Sequence, residues 1–150
     1  MKESPQMQKL EQILRSSKLA AGGFMGDDLR SINEIISVDS SKVSKLGYTI
    51  EQIASRMQAI TDAATMRLGT WAKVDENHRA VVEEAKGALV CPWPHPGRYA
   101  KRVTTAENCD SGEIIRWSDL NIHLIAKHGF FEGRGAAFRI EPEKLINVIF

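Results

Sequence analysis

Cysteine sulfur and imidazole nitrogen are the side-chain atoms that a zinc ion prefers, and this chain gathers both types in two separate stretches. The first, CPWPHPGRY, carries Cys91 and His95 between three prolines, and the second, WSDLNIHLIAKH, carries His123 and His128. Together Cys91, His95, His123 and His128 have the number and the ligand types of a closed, tetrahedral structural site, so zinc is the cofactor these residues point to. Cys109, within Asn108-Cys109-Asp110, is a spare thiol that reads first as a surface turn residue and second as a substitute ligand.

Two geometrical conditions go with this reading. His123 and His128 are five residues apart, about 140° around an ideal α-helix, so the last helical turn must loosen, which Gly129 permits. Cys91, Trp93 and His95 each precede a proline and are biased towards extended backbone. Four extended residues span roughly 12–13 Å, too far for both ends to touch one ion at about 2.0–2.3 Å. The loop must therefore double back, through a turn or a cis proline at Trp93-Pro94 or His95-Pro96.

Part of this pattern resembles a C2H2 zinc finger: Leu120-x-x-His123-x-x-x-x-His128 is similar to that family's helix, and Tyr99 falls where an aromatic follows the second ligand of the hairpin. The resemblance implies a zinc ion held between a hairpin and a helix. It covers only these fragments, with His95 in the place of the second cysteine and a longer segment between the halves.

A second chemical feature follows directly, GFFEGRG at 129–135, with Arg139 just beyond. Successive glycine amides can form an anion-binding nest, and arginine forks grip carboxylate or phosphate. Gly133, Arg134, Gly135 and Arg139 are thus the expected contacts for an anionic ligand or a protein partner. Trp93, Tyr99, Trp117, Phe130 and Phe131 crowd the same half, where they either stack unpaired bases or fill the core of a small sheet.

Hydrolysis is the other chemistry these residue types allow, with Cys91 beside a histidine, or with a metal on His123 and His128 and Glu132 as base. The sequence holds no H-E-x-x-H, no G-x-S-x-G and no phosphate-binding glycine loop, so an enzyme is the alternative and a non-enzymatic binding or regulatory module the favoured reading. A net charge of +1 gives no global case for nucleic acid. Residues 86–139 do carry eight basic against five acidic side chains, which leaves nucleic acid or a phosphate ligand as a further alternative. No apolar run approaches the roughly 20 residues of a membrane span, and the opening MKESPQMQKL lacks the apolar stretch of a secretory signal, so a cytoplasmic protein is expected.

The elements that must position these residues are those of an α+β protein, with a helical part over 1–69 and an antiparallel sheet with a packed helix over 70–150. Ser4-Pro5 opens a first helix expected to reach about Leu19, and Asp27 or Asp28 can cap a second carrying Leu29, Ile32, Ile35 and Ile36. Asp39 can cap a short third through Val43 and Leu46, stopped at Gly47. Thr49-Ile50-Glu51-Gln52 is a capping box, stapled by Tyr48 and Ile53, that opens a helix ending near Gly69; YTIEQIAS is similar to the first helix of a helix-turn-helix, but no glycine turn follows it. Three or four helices thus occupy 5–68. Short β-like runs then cover 71–74, 80–84, 88–91, 98–104 and 113–117, with turns at 75–77, Lys86-Gly87 and 110–112. Ser118 caps a helix through Lys127, residues 138–140 return as an edge strand, and Pro142 starts a last helix over 143–149.

Overall fold

A computed structural model describes residues 4–16 and 23–150. It is an α+β fold of five helices and one four-stranded sheet: α1 Pro5–Arg15, α2 Ile32–Lys45, α3 Ile50–Thr65, β1 Ala72–Asp75, β2 His78–Leu89, β3 Tyr99–Asn108, β4 Ile114–Ser118, α4 Asp119–His128 and α5 Pro142–Ile149. The sheet order follows the chain order and every neighbouring pair is antiparallel, the meander that short connections dictate. No helix among the described residues is long and apolar enough to cross a membrane.

Local chemistry sets most boundaries. The Ser4 side chain accepts the Met7 amide, and Pro5 occupies the first turn, where its missing N–H costs nothing. α1 ends at Arg15 with Ser16 as its cap; the expected extension towards Leu19 falls outside the described residues. The reciprocal box at Thr49 forms, with the Gln52 amide donating to Thr49 and the Thr49 amide donating to the Gln52 side chain. Ser118 and Asn121 make the same reciprocal pair at the start of α4.

Several expectations give way to longer-range packing. Ser31, not Asp27 or Asp28, caps α2, because Asp28 is turned to Arg30. Asp39 caps nothing: α2 runs through it unbroken, and its buried carboxylate faces Arg139, so three helices precede the sheet. The runs at 80–84 and 88–91 are one strand, β2, whose pairing with β3 is interrupted between Glu84 and Ala88. Gly87 there adopts φ +103°, so Lys86-Gly87 makes a bulge where a turn was expected. Residues 138–140 form no strand.

The inward faces of His78, Ala80 and Val82, of Thr104 and Ala106, and of Ile115 and Trp117 alternate as a half-buried sheet requires. They pack against Met57 and Ile60 of α3 and Leu145 and Ile149 of α5 in the larger apolar cluster. Within it the Trp117 indole N–H donates to Thr61 Oγ1 at 2.9 Å, and the Thr61 and Thr104 hydroxyls meet at 2.7 Å, so these three groups satisfy one another, while His78 Nε2 on the same face has no hydrogen-bond partner among the described residues. Past Val82 the residues of β2 from 83 to 88 are exposed, and the β2–β3 ribbon runs on as an arm with the proline loop at its tip. A smaller cluster lies there: Leu10 and Leu14 of α1, Ile32 and Ile35 of α2, Leu120 and Leu124 of α4, with Phe24, Phe130 and Cys91.

Candidate metal centre

α4 presents two kinds of side chain. Leu120, Leu124 and Ile125 are buried, while His123 and His128 lie half-buried on the side that faces the ribbon tip. The helix is intact through His128, and Gly129 takes the left-handed conformation that ends it (φ +62°). The Gly129 amide is shared between the carbonyls of Ile125 and Leu124, the slight widening of the last turn that lets side chains five residues apart converge.

The proline loop doubles back without a cis peptide, all described peptide bonds being trans. The His95 amide instead donates to the Trp93 carbonyl at 2.8 Å, closing a three-residue turn over Pro94. That reversal removes the extended span and brings Cys91 and His95 to the same end of α4. Gly97 (φ +146°) lets the strand that follows return close to Tyr99, whose hydroxyl lies 3.1 Å from where a Cβ at 97 would sit.

Cys91, His95, His123 and His128 each offer one ligand atom, all within 4.8 Å of one another. His95 Nε2 lies 3.1 Å from His123 Nε2 and 3.2 Å from His128 Nε2, and His128 Nε2 lies 3.5 Å from Cys91 Sγ. The edge of a tetrahedron is about 1.6 times the centre-to-corner distance, so zinc bonds of about 2.0–2.1 Å to nitrogen and 2.3 Å to sulfur imply edges of about 3.3 Å between nitrogens and 3.5 Å from nitrogen to sulfur. The three close edges match those values.

The outward nitrogens are held as metal-ligating histidines require. His95 Nδ1 donates to the Pro96 carbonyl at 3.0 Å, which fixes that proton and leaves a lone pair on Nε2. His123 Nδ1 meets the Tyr99 hydroxyl at 2.9 Å, and the His128 ring stacks on Trp93 with centroids 4.1 Å apart. Burial, then the neighbouring imidazoles, pushes His128 down to about 4; burial and then His95 push His123 down as well. Both are therefore neutral near pH 7, the form that binds metal. Burial pushes the Cys91 thiol up, so an ion binding there must displace a proton. Trp93 carries no metal-ligand signature in sequence, whereas Tyr99 stands where the zinc-finger resemblance puts an aromatic after the second ligand of the hairpin.

The chain matches no protein-family profile, no curated protein and no solved structure.

The other expected contacts are placed differently. The Arg139 side chain is only 7% exposed, and its fork is taken up by Asp39, at 2.5 and 3.0 Å, with Glu141 and the Glu132 carbonyl completing its shell. No donor is left for an incoming anion. Gly133 and Gly135 pack against the 23–28 loop so closely that an added Cβ would overlap Met25 O and Asp27 Oδ1. The Gly133 amide donates to Phe24 O and the Arg134 amide to Asp28 Oδ2, so the carboxylate that this glycine loop grips is the chain's own. Arg30 beside it holds Asp28 well below the usual carboxylate range. The Arg134 side chain is exposed. Trp117, Phe130 and Phe131 are fully buried and offer no face to a base. Cys109 is exposed at the far end of β3 from Tyr99, roughly 30 Å along the strand, and stands apart from the four-residue group. Glu132 turns to Asn121 and is also outside that group.

Proposed function

We propose that the protein is a non-enzymatic binding or regulatory module of a reducing, cytoplasmic compartment, in which one zinc ion on Cys91, His95, His123 and His128 pins the proline loop to α4. One observation carries the reading: three imidazole nitrogens and a thiol converge within 4.8 Å of one another, three of their six separations at tetrahedral edge lengths, with the far nitrogens of His95 and His123 held by Pro96 and Tyr99. One thiolate with three imidazoles suits zinc, and a closed set of four protein ligands favours a structural ion over a hydrolytic one, which needs an open position. Nothing in the fold asks for a disulfide, and both thiols are free, as a reducing compartment requires.

Elemental analysis with X-ray absorption on the purified chain tests this. The expected result is one zinc per chain, about three nitrogen neighbours near 2.0–2.1 Å and one sulfur near 2.3 Å. Chelation should lower the melting temperature, and Cys91→Ser or His123→Ala should abolish stoichiometric zinc. A metal-free preparation whose melting is indifferent to both zinc and chelator would refute the proposal.

A further inference from the structure

A cavity of about 400 Å³ opens between the 23–24 turn, the β2–β3 ribbon, the start of α4 and the 132–138 segment. That is within the range of small-molecule pockets, roughly 300–1,000 Å³. Its walls are largely apolar, from Phe24, Leu89, Val103, Leu120 and Phe138; Glu132 is the one acid among them, and two cations also line it, Arg102, which is paired with Asp119, and the exposed Lys101.

Glu132 is conspicuous on three counts. It is the one non-glycine residue with positive φ among the described residues, at +66°, a conformation that side-chain-bearing residues rarely adopt. It is 95% buried, its relative exposure being 5%. Only one carboxyl oxygen is engaged, Oε2 accepting from Asn121 Nδ2 at 2.9 Å; Oε1 has no hydrogen-bond partner among the described residues and is not one of the atoms sealed from solvent. Arg139 donates to the Glu132 backbone carbonyl and spends its fork on Asp39, and Arg102 is taken by Asp119, so no cation is hydrogen-bonded to this carboxyl among the described residues. Burial accordingly pushes Glu132 up to about 7, against the pull of Asn121 and Arg139.

A residue that is both strained and desolvated, with one carboxyl oxygen unpartnered, on the wall of a largely apolar cavity, is explained by what enters the cavity. An acid there is matched by a cation or a strong donor, and the walls are matched by hydrocarbon. We infer that this cavity binds a small apolar amine, its body against Leu89, Val103, Leu120 and Phe138 and its ammonium on Glu132 Oε1. The site is separate from the four-residue metal centre, which shares none of its lining.

Calorimetry and chemical-shift mapping on the zinc-loaded full chain, with hexylamine, hexanol and hexanoate as probes, test the inference. Hexylamine should bind at least tenfold more tightly than hexanol or hexanoate, with shifts at Leu89, Val103 and Ala137. Glu132→Gln keeps an acceptor for Asn121 and should weaken hexylamine at least tenfold while leaving hexanol and the zinc content unchanged. Ala137→Trp, which fills the cavity from an exposed wall position, should weaken hexylamine and hexanol alike. No binding of hexylamine, equal binding of amine and alcohol, or undiminished binding by either variant would overturn it.

Discussion

Replacing Glu132 by glutamine should change the pH dependence of stability more than its value in acid. Glu132 is shifted from 4.5 to about 7, chiefly by burial. Below pH 4.5 the carboxyl is protonated in both the folded and the unfolded chain and contributes no difference. Between the two values the unfolded chain ionises it and the folded chain does not, so each pH unit favours unfolding by 1.36 kcal/mol. Over the shift this comes to about 3 kcal/mol, lost as pH rises from 4.5 through about 7 and level above that. Glutamine cannot ionise. Urea denaturation of wild type and Glu132→Gln, both in saturating zinc from pH 4.5 to 8.5, should give curves that nearly meet in acid and diverge in favour of the variant by about 3 kcal/mol at pH 8. Subtracting the curves cancels the histidines and the remaining carboxylates, which both proteins share. Parallel curves would refute the reasoning, and a gap that grows in favour of wild type would mean that the charged carboxylate is the stabilised form.

The buried Arg139–Asp39 pair should behave as such pairs do: Asp39→Ala strands a guanidinium and should cost about 3–5 kcal/mol in denaturant titrations, whereas Asp39→Leu with Arg139→Met should recover most of that. Thr61→Val leaves the Trp117 indole N–H and the Thr104 hydroxyl without their shared partner, an expected loss of about 1–3 kcal/mol at equilibrium, read by urea unfolding followed through tryptophan fluorescence. Zinc binding at pH 7 should release about one proton, from Cys91, since His123 and His128 are already neutral; calorimetry in buffers of different ionisation enthalpy counts it, and a count of zero would contradict thiolate ligation. Gly97→Ala should loosen the contact of Tyr99 with His123 and lower zinc affinity by about 10–100-fold, as loss of an outer partner does, measured by chelator competition.

What was legible in the sequence was local. The box at Thr49 and the cap at Ser118 announce α3 and α4 because they are local signals, and the four metal-type residues stand out by type alone. What was illegible depends on distant partners. Arg139 looked available because Asp39, which occupies it, lies 100 residues earlier and itself resembled a helix cap. The glycine loop looked like an anion nest, yet its Gly133 amide goes to the Phe24 carbonyl and its Arg134 amide to a carboxylate of the chain itself, Asp28, 106 residues away. Lys86-Gly87 carried a turn signal, and cross-strand pairing with β3 turned it into a bulge inside one long strand. Likewise Phe130 and Phe131 were placed in the right half of the chain, yet only packing decides that they face inward.

The projecting β2–β3 arm also bears on the order of events during folding. We expect its tip to dock on α4 after β3 and β4 have paired, since bringing Cys91 to His128 closes a long loop that the hairpin pairing and the Ser118 cap shorten. An ion held by these four residues would then be captured late on the route to the native state, and it would cross-link a loop of roughly 40 residues whose closure entropy is about 4 kcal/mol, by analogy with a disulfide. A metal-starved chain should retain hydrogen-exchange protection in α3, α5 and the sheet centre while the arm and the C-terminal end of α4 exchange quickly.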